Sequence, residues 1–311
     1  MNECLYILSD QEETYLNLIA NSSLKETLSL TKQREEATIV LADPPLLAKN
    51  MAQFPNLKWA QSTFAGIDTL MAKDLTGKEL RKDYQLTNIK GIFGQLISEY
   101  VLGYTLSYFR HFNLYRHQQQ NQVWEEHGYQ SVEGKCMVIL GTGSIGQHLS
   151  HTATALGFKV IGVNRSGITP TDAKFVECYA IDQLEKAMQK ADLVVNALPS
   201  TAQTKQILNA QSLSHCNKAL LFNIGRGNAV DDDGLLHALE KGWVEHAFLD
   251  VFPVEPLPQT SPYWQHKKVT LTPHIAATSF PEQIFGIFAE NVQRYFSGQP
   301  LINQIDFDRG Y

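Results

Sequence analysis

Three short apolar runs in the second half of the chain each lead into side chains that could do chemistry. "ALLFNIGRGNAV" (219–230) sets Arg226 between two glycines, and "HAFLDVFPVEPLP" (246–258) supplies Asp250 and then Glu255 in a proline-stiffened loop. "KVTLTPHIAATS" (268–279) reaches Pro273 and places His274 directly after it. A guanidinium can hold a carboxylate, an imidazole can exchange a proton near neutrality, and a carboxylate can orient that imidazole. Each residue alone also has a plain structural account: a core histidine, a solvated arginine, an acid that keeps a loop soluble. Their shared position at strand ends, where open α/β sheets bind ligands, makes them one chemical set.

Upstream, "VILGTGSIGQHL" (138–149) places Gly141, Gly143 and Gly146 in GxGxxG spacing, after a strand and at the start of a helical pattern. Gly141 permits the tight turn, Gly143 lets a pyrophosphate approach the backbone, and Gly146 lets helix and strand pack closely. Amides at the helix start, those of Ser144 and Ile145 among them, then face the phosphates. A glycine turn without ligand is the alternative. The next strand, "KVIGVN", ends in Asn164, Arg165 and Ser166, where a 2′-hydroxyl reader would carry an acid. A guanidinium and a hydroxyl suit a 2′-phosphate, so NADPH is preferred and NADH stays possible. Alternatively, Arg165 is a solvated loop residue.

These groups need elements to hold them. With 311 residues and 43% hydrophobic content the chain can fill two cores, and its net charge of −6 argues against nucleic acid or an anionic membrane as partner. The N-terminus carries acids by position 10 and no long apolar segment, which points to the cytoplasm. Cys4, Cys136, Cys178 and Cys216 lie far apart, so reduced thiols are expected and no metal site; His148 and His151 read as helix-surface residues.

"CLYILS", "ATIVLA", "LKWAQS" and "YQLTNI" read as strands of a first parallel sheet, and "CMVILG", "KVIGVN", "LVVNAL", "ALLFNIG", "HAFLDV" and "KVTLT" as those of a second. Between them residues 93–120 carry a helical pattern with Tyr100, Tyr104, Tyr108 and Phe112 on one face, to be buried against its own chain or a second subunit. The acidic run Asp231 to Asp233 reads as a helix cap, and Ser279 with Glu282 as a capping box on the last helix. That helix, with Phe285, Phe288, Val292 and Tyr295 on its apolar face, can return to the first sheet. The expected domains are 1–95 with 276–311, and 96–275.

Through "LGTGSIG", "NIGRGNAVDDDGLLHAL", "AFLDVFPVEPLP" and "TPHIAATS" the chain resembles the D-2-hydroxyacid dehydrogenases. The resemblance implies two doubly wound parallel-sheet α/β domains: a flavodoxin-like substrate domain and a Rossmann NAD(P)-binding domain. It implies hydride transfer to a short 2-oxo acid such as glyoxylate or hydroxypyruvate. Arg226 would bind the substrate carboxylate, His274 would give the proton, and Glu255 would hydrogen-bond the imidazole. Asp250 would meet the nicotinamide carboxamide, and Leu198, Pro199 and Ile224 belong to the implied cofactor set with Arg226 and His274. "STFAGID" is similar to a carboxylate-binding turn with the amides of Gly66 and Ile67; an ordinary strand-to-helix turn is its other reading. Trp59 or Phe64 could select the substrate side chain. A homodimer is implied as well. A reductase of a larger 2-oxo acid, or a non-catalytic NADP(H)-sensing protein, stays open.

Overall fold

Within both sheets of the computed structural model every strand pair is parallel, the arrangement that buries strands on two faces and delivers their carboxyl ends to one edge. The structure describes residues 3–71 and 79–308. The chain divides into two units, Met1–Ile92 with Ser279–Tyr311, and Phe93–Thr278.

The first unit holds β1 (Cys4–Leu8), β2 (Ser29–Leu30), β3 (Ile39–Ala42), β4 (Trp59–Ser62) and β5 (Gln85–Thr87), in the order β2-β1-β3-β4-β5. This is the flavodoxin-like order. Strands β3 and β4 are buried throughout, whereas β2 is two exposed residues and leaves no apolar run to read. The helix Pro281–Phe296 belongs to this unit and buries Phe288 against Trp59, with ring centroids 5.6 Å apart. The capping box of Ser279 and Glu282 does not form: Phe280 stands at the N-cap and no side chain caps the helix. Pro281 starts the helix instead, since its fixed φ suits that position and it has no N–H to satisfy. Trp59 does not line a cleft, contrary to the expectation that it could select the substrate side chain. It is fully buried, stacks on Phe288 and Tyr295, and donates from Nε1 to Thr87 Oγ1 at 2.9 Å, so it faces the core and not a ligand.

The second unit holds β6 (Cys136–Leu140), β7 (Lys159–Asn164), β8 (Glu177–Ala180), β9 (Leu193–Asn196), β10 (Ala219–Asn223), β11 (Val244–Leu249) and β12 (Val269–Leu271). Their order is β12-β11-β10-β9-β6-β7-β8, which contains the 3-2-1-4-5-6 dinucleotide-binding order with its reversal between β6 and β9. Six of these strands are the six expected. The seventh, β8, is a partly exposed edge strand, "ECYA", too polar to show as an apolar run. Leu235 and Leu239 of the helix Asp232–Lys241 join Val194, Leu221 and Ala247 in the core. Asp231 caps that helix by accepting from the Gly234 amide at 3.1 Å.

The expected helix over 93–120 is two helices, Gly94–Phe109 and Phe112–Gln120, broken where His111 takes φ 56°. The break divides the aromatic stripe. Tyr104 and Tyr108 pack on the same chain, against Phe248 and His246 of β11 at 5.2 and 5.7 Å, while Phe112 beyond the break is 56% exposed. Among the described residues no helix is long and apolar enough to cross a membrane, and the four cysteines are free.

Candidate active site

Each glycine of the loop after β6 meets a different demand. Gly141 has φ 103°, which an L side chain rarely adopts. A Cβ on Gly146 would lie 2.1 Å from the Gly141 carbonyl oxygen, so only glycine lets the helix Ser144–Ala155 pack this close. Gly143 is different: no atom lies within 4 Å of where its Cβ would be, and nothing inside the chain asks for glycine there. A ligand approaching the backbone does ask for it. The helix start at Ser144 and Ile145 takes no side-chain cap, which leaves first-turn amides for an anion. The loop therefore fits a dinucleotide pyrophosphate.

At the end of β7, Asn164 spends its side chain on the loop. Its Nδ2 donates to Thr142 Oγ1 at 2.9 Å and to the Ile168 carbonyl at 2.8 Å, while its Oδ1 accepts from the amides of Ser166 and Gly167 at 3.0 and 2.7 Å. Arg165 and Ser166 are held on the rim of this turn, both exposed. One strand over, Asn196 of β9 donates to Asn223 Oδ1 of β10 at 2.8 Å, and its own Oδ1 accepts from the Leu198 amide at 3.2 Å. Both asparagines are buried. Asn223 passes the restraint on by donating to the Arg226 carbonyl at 3.2 Å. Leu198 and Ile224 are nearly buried at these strand ends, and Pro199 is exposed beside them.

Arg226 is pinned by backbone on both sides. A Cβ on Gly225 would lie 2.7 Å from the Leu198 carbonyl oxygen, and one on Gly227 would lie 1.9 Å from the Phe252 carbonyl carbon. Two close approaches thus fix the residue between them, and its Nη1 donates to the Gly225 carbonyl at 2.8 Å.

His274 and Glu255 meet. Nδ1 of the imidazole stands 2.8 Å from Oε2 of Glu255, whose Oε1 accepts from the Phe252 amide at 2.8 Å. A carboxylate has no proton to give, so Nδ1 is the donor and Nε2 is left for other chemistry. His274 itself has φ 55°, and its amide donates to the Asp250 carbonyl at 2.9 Å. The Asp250 carboxylate is buried under the same loop: Oδ1 accepts from Thr272 Oγ1 at 2.6 Å and from the Ile275 amide at 2.8 Å, and Oδ2 accepts from the Ala276 amide at 2.9 Å. A carboxylate offers about four lone-pair sites, so the expected carboxamide contact would be added to these three bonds.

In the first unit the turn after β4 is tied down by its carbonyls. Ser62 Oγ donates to the Phe64 carbonyl at 2.8 Å, and Asn88 Nδ2 donates to the Ala65 carbonyl at 2.7 Å. Among the described residues no acceptor lies against the amides of Gly66 and Ile67. Phe64 is partly exposed at this turn. His148 lies 3.2 Å from Gln95 Oε1 and His151 2.6 Å from the Asp172 carbonyl; among the described residues no His, Cys, Asp or Glu group is arranged to hold a metal.

Residues 102–276 match the D-isomer specific 2-hydroxyacid dehydrogenase NAD binding domain. The chain belongs to that family. It binds a nicotinamide dinucleotide, and the glycine loop lies within the matched residues. Over 219 residues, 70% of this chain and 69% of the relative, it is 38% identical to glyoxylate/hydroxypyruvate reductase A of Serratia proteamaculans. A D-isomer specific 2-hydroxyacid dehydrogenase family protein of Aeromonas salmonicida is similar over 99% of this chain and 100% of its own, with 42% identity and a TM-score of 0.90. A D-isomer specific 2-hydroxyacid dehydrogenase of Xanthobacter autotrophicus, solved with NADPH and MES, is similar over the whole of both chains at 28% identity and a TM-score of 0.87.

Two features of this dehydrogenase-family site escape a reading by charge alone. The Asn196–Asn223 pair couples two strand ends, and its only trace is an asparagine closing "LVVN" and "ALLFN" alike. The second is the hydroxyl of Thr272, which reads as the last residue of a strand and acts as a donor to Asp250.

Proposed function

We propose that this chain reduces short 2-oxo acids with NADPH, glyoxylate to glycolate and hydroxypyruvate to D-glycerate. The observation that carries the reading is the His274–Glu255 pair at a strand end of a dinucleotide-binding sheet, in a chain that also fixes Arg226 at a neighbouring strand end. The bound nicotinamide supplies the hydride. Arg226 binds the substrate carboxylate and polarises the keto oxygen, and the amides of Gly66 and Ile67 are offered as donors to a carboxylate. Doubly protonated, His274 gives the Nε2 proton to the developing alkoxide and keeps Nδ1–H on Glu255. Gly141, Gly143, Ser144, Ile145 and Gly146 take the pyrophosphate, Arg165 and Ser166 take the 2′-phosphate from the turn that Asn164 organises, and Leu198, Pro199, Ile224 and Asp250 complete the cofactor contacts.

Support for these substrates comes from the relative named as a glyoxylate/hydroxypyruvate reductase, and for NADPH from the neighbour solved with it and from Arg165. Support for a homodimer comes from the segment after His111, where Phe112 is 56% and Trp124 99% exposed. Such a surface is expected to be covered by a second copy.

The test is oxidation of NADPH and, separately, NADH, with glyoxylate and with hydroxypyruvate, in the parent protein and in Arg165→Ala. Turnover with NADPH, and a KM for NADPH that rises at least tenfold in the variant while that for NADH stays within twofold, is the expected result. Tight binding without turnover over a panel of 2-oxo acids would move the reading to an NADP(H) sensor.

A further inference from the structure

We propose that Tyr100 is a positioning residue for His274, acting through Thr272 and Asp250; the proposal rests on His274 being the proton donor. Tyr100 lies in the helix Gly94–Phe109, and its hydroxyl is 2.6 Å from Thr272 Oγ1. The two oxygens alone do not say which one donates. The next bond does: Thr272 has one hydroxyl proton, and that proton goes to Asp250 Oδ1 at 2.6 Å. Tyr100 is therefore the donor, and the bonds run in one direction from phenol to hydroxyl to carboxylate.

The far end of that chain is the backbone around His274. The Asp250 carboxylate takes the amides of Ile275 and Ala276, and the Asp250 carbonyl takes the amide of His274. Held this way, His274 keeps φ 55°, a left-handed conformation that costs a non-glycine residue about 1 kcal/mol or more. Its imidazole is 54% exposed and bonds to Glu255, so the backbone and that carboxylate aim the ring together. Tyr104 packs edge-on against Tyr100 at 4.9 Å and fixes the phenol in turn. Burial raises the phenol pKa, which keeps the proton that the first bond needs. The aromatic stripe thus ends in a polar tip that serves the site.

Steady-state kinetics with NADPH and hydroxypyruvate test this in four single variants and one double variant. Tyr100→Phe keeps the ring and removes the hydroxyl; kcat is expected to fall about tenfold with KM for NADPH within twofold of the parent. Thr272→Val should fall as far, and Thr272→Ser, which restores the hydroxyl, should recover most of the rate. Placed in a His274→Gln background, Tyr100→Phe should cost nothing further, because it has no ring left to position. Equal losses in both backgrounds, or an unchanged kcat in Tyr100→Phe alone, would overturn the proposal. If His274→Gln itself keeps full turnover, the assignment of the proton donor fails, and the positioning role with it. Should Tyr100→Phe not fold, the Thr272→Val and Thr272→Ser pair decides alone.

Discussion

Nδ1 of His274 and Oε2 of Glu255 stand 2.8 Å apart, and the other oxygen of Glu255 is held by the Phe252 amide. The carboxylate is thus oriented by its own loop before it orients the ring. Two loops from separate strands, after β11 and after β12, are joined by this contact.

If that pair moves the proton, His274→Gln should lower kcat by about two to four orders of magnitude. Glu255→Gln should lose less, about one to two orders, since its one amide oxygen can still accept from Nδ1 at the expense of the Phe252 amide bond. Turnover with NADPH and hydroxypyruvate measures both; a Glu255 variant at the parent's rate would reduce the acid to a loop tether.

Gly143 and Gly146 should separate binding from folding. Gly143→Ala adds a methyl into open space, so the Tm should stay within about 2 °C while the Kd for NADPH rises at least tenfold. Gly146→Ala drives a methyl against the Gly141 carbonyl and should destabilise the fold by several kcal/mol. Thermal melts with and without NADPH read both. A loss of Tm in Gly143→Ala equal to that in Gly146→Ala would remove the ligand argument.

Burial lowers the pKa of His246 to about 4, with smaller contributions from His266 and Lys268. The unfolded chain binds this proton near pH 6.5 and the folded chain only near 4, so the unfolded state gains protons first as pH falls. Stability is full above about pH 6.5 and declines toward pH 4, by about 1 to 2 kcal/mol after solvent screening of a partly exposed ring. Urea unfolding between pH 7 and pH 4 measures it. His246→Phe, which keeps a ring against Phe248 and Tyr108, should flatten the profile; an unchanged slope would place the titration elsewhere.

Trp124→Ser with Phe112→Ser should convert a dimer to monomer, read by light scattering, with little change in secondary structure. A parent protein that is monomeric at high concentration would defeat the dimer reading.

The strand pattern and the glycine loop were legible in the sequence because they are written in local chemistry. Apolar runs mark buried parallel strands, and the GxGxxG spacing survives as a physical need at each glycine. What stayed hidden depends on geometry between distant segments. Strand β8 gains its place by pairing with β7 and not from its own apolarity. The break at His111 has no proline or glycine to announce it. Trp59 reads equally as a cleft or core aromatic until Phe288 and Tyr295, more than 200 positions away, are seen stacked on it. Thr272 shows its role only when Asp250 is beneath it.

The helix Pro281–Phe296 completes a sheet whose strands were finished by Thr87, with the whole second unit made in between. During synthesis the ribosome must add about 200 residues before Phe288 and Tyr295 can cover Trp59, a wait of about 10 to 40 s at ordinary elongation rates. The dinucleotide unit can close on itself first, while Trp59 in the first sheet waits for its stacking partners. A chain truncated after Thr278 should therefore be protease-resistant over the second unit and cleavable over the first.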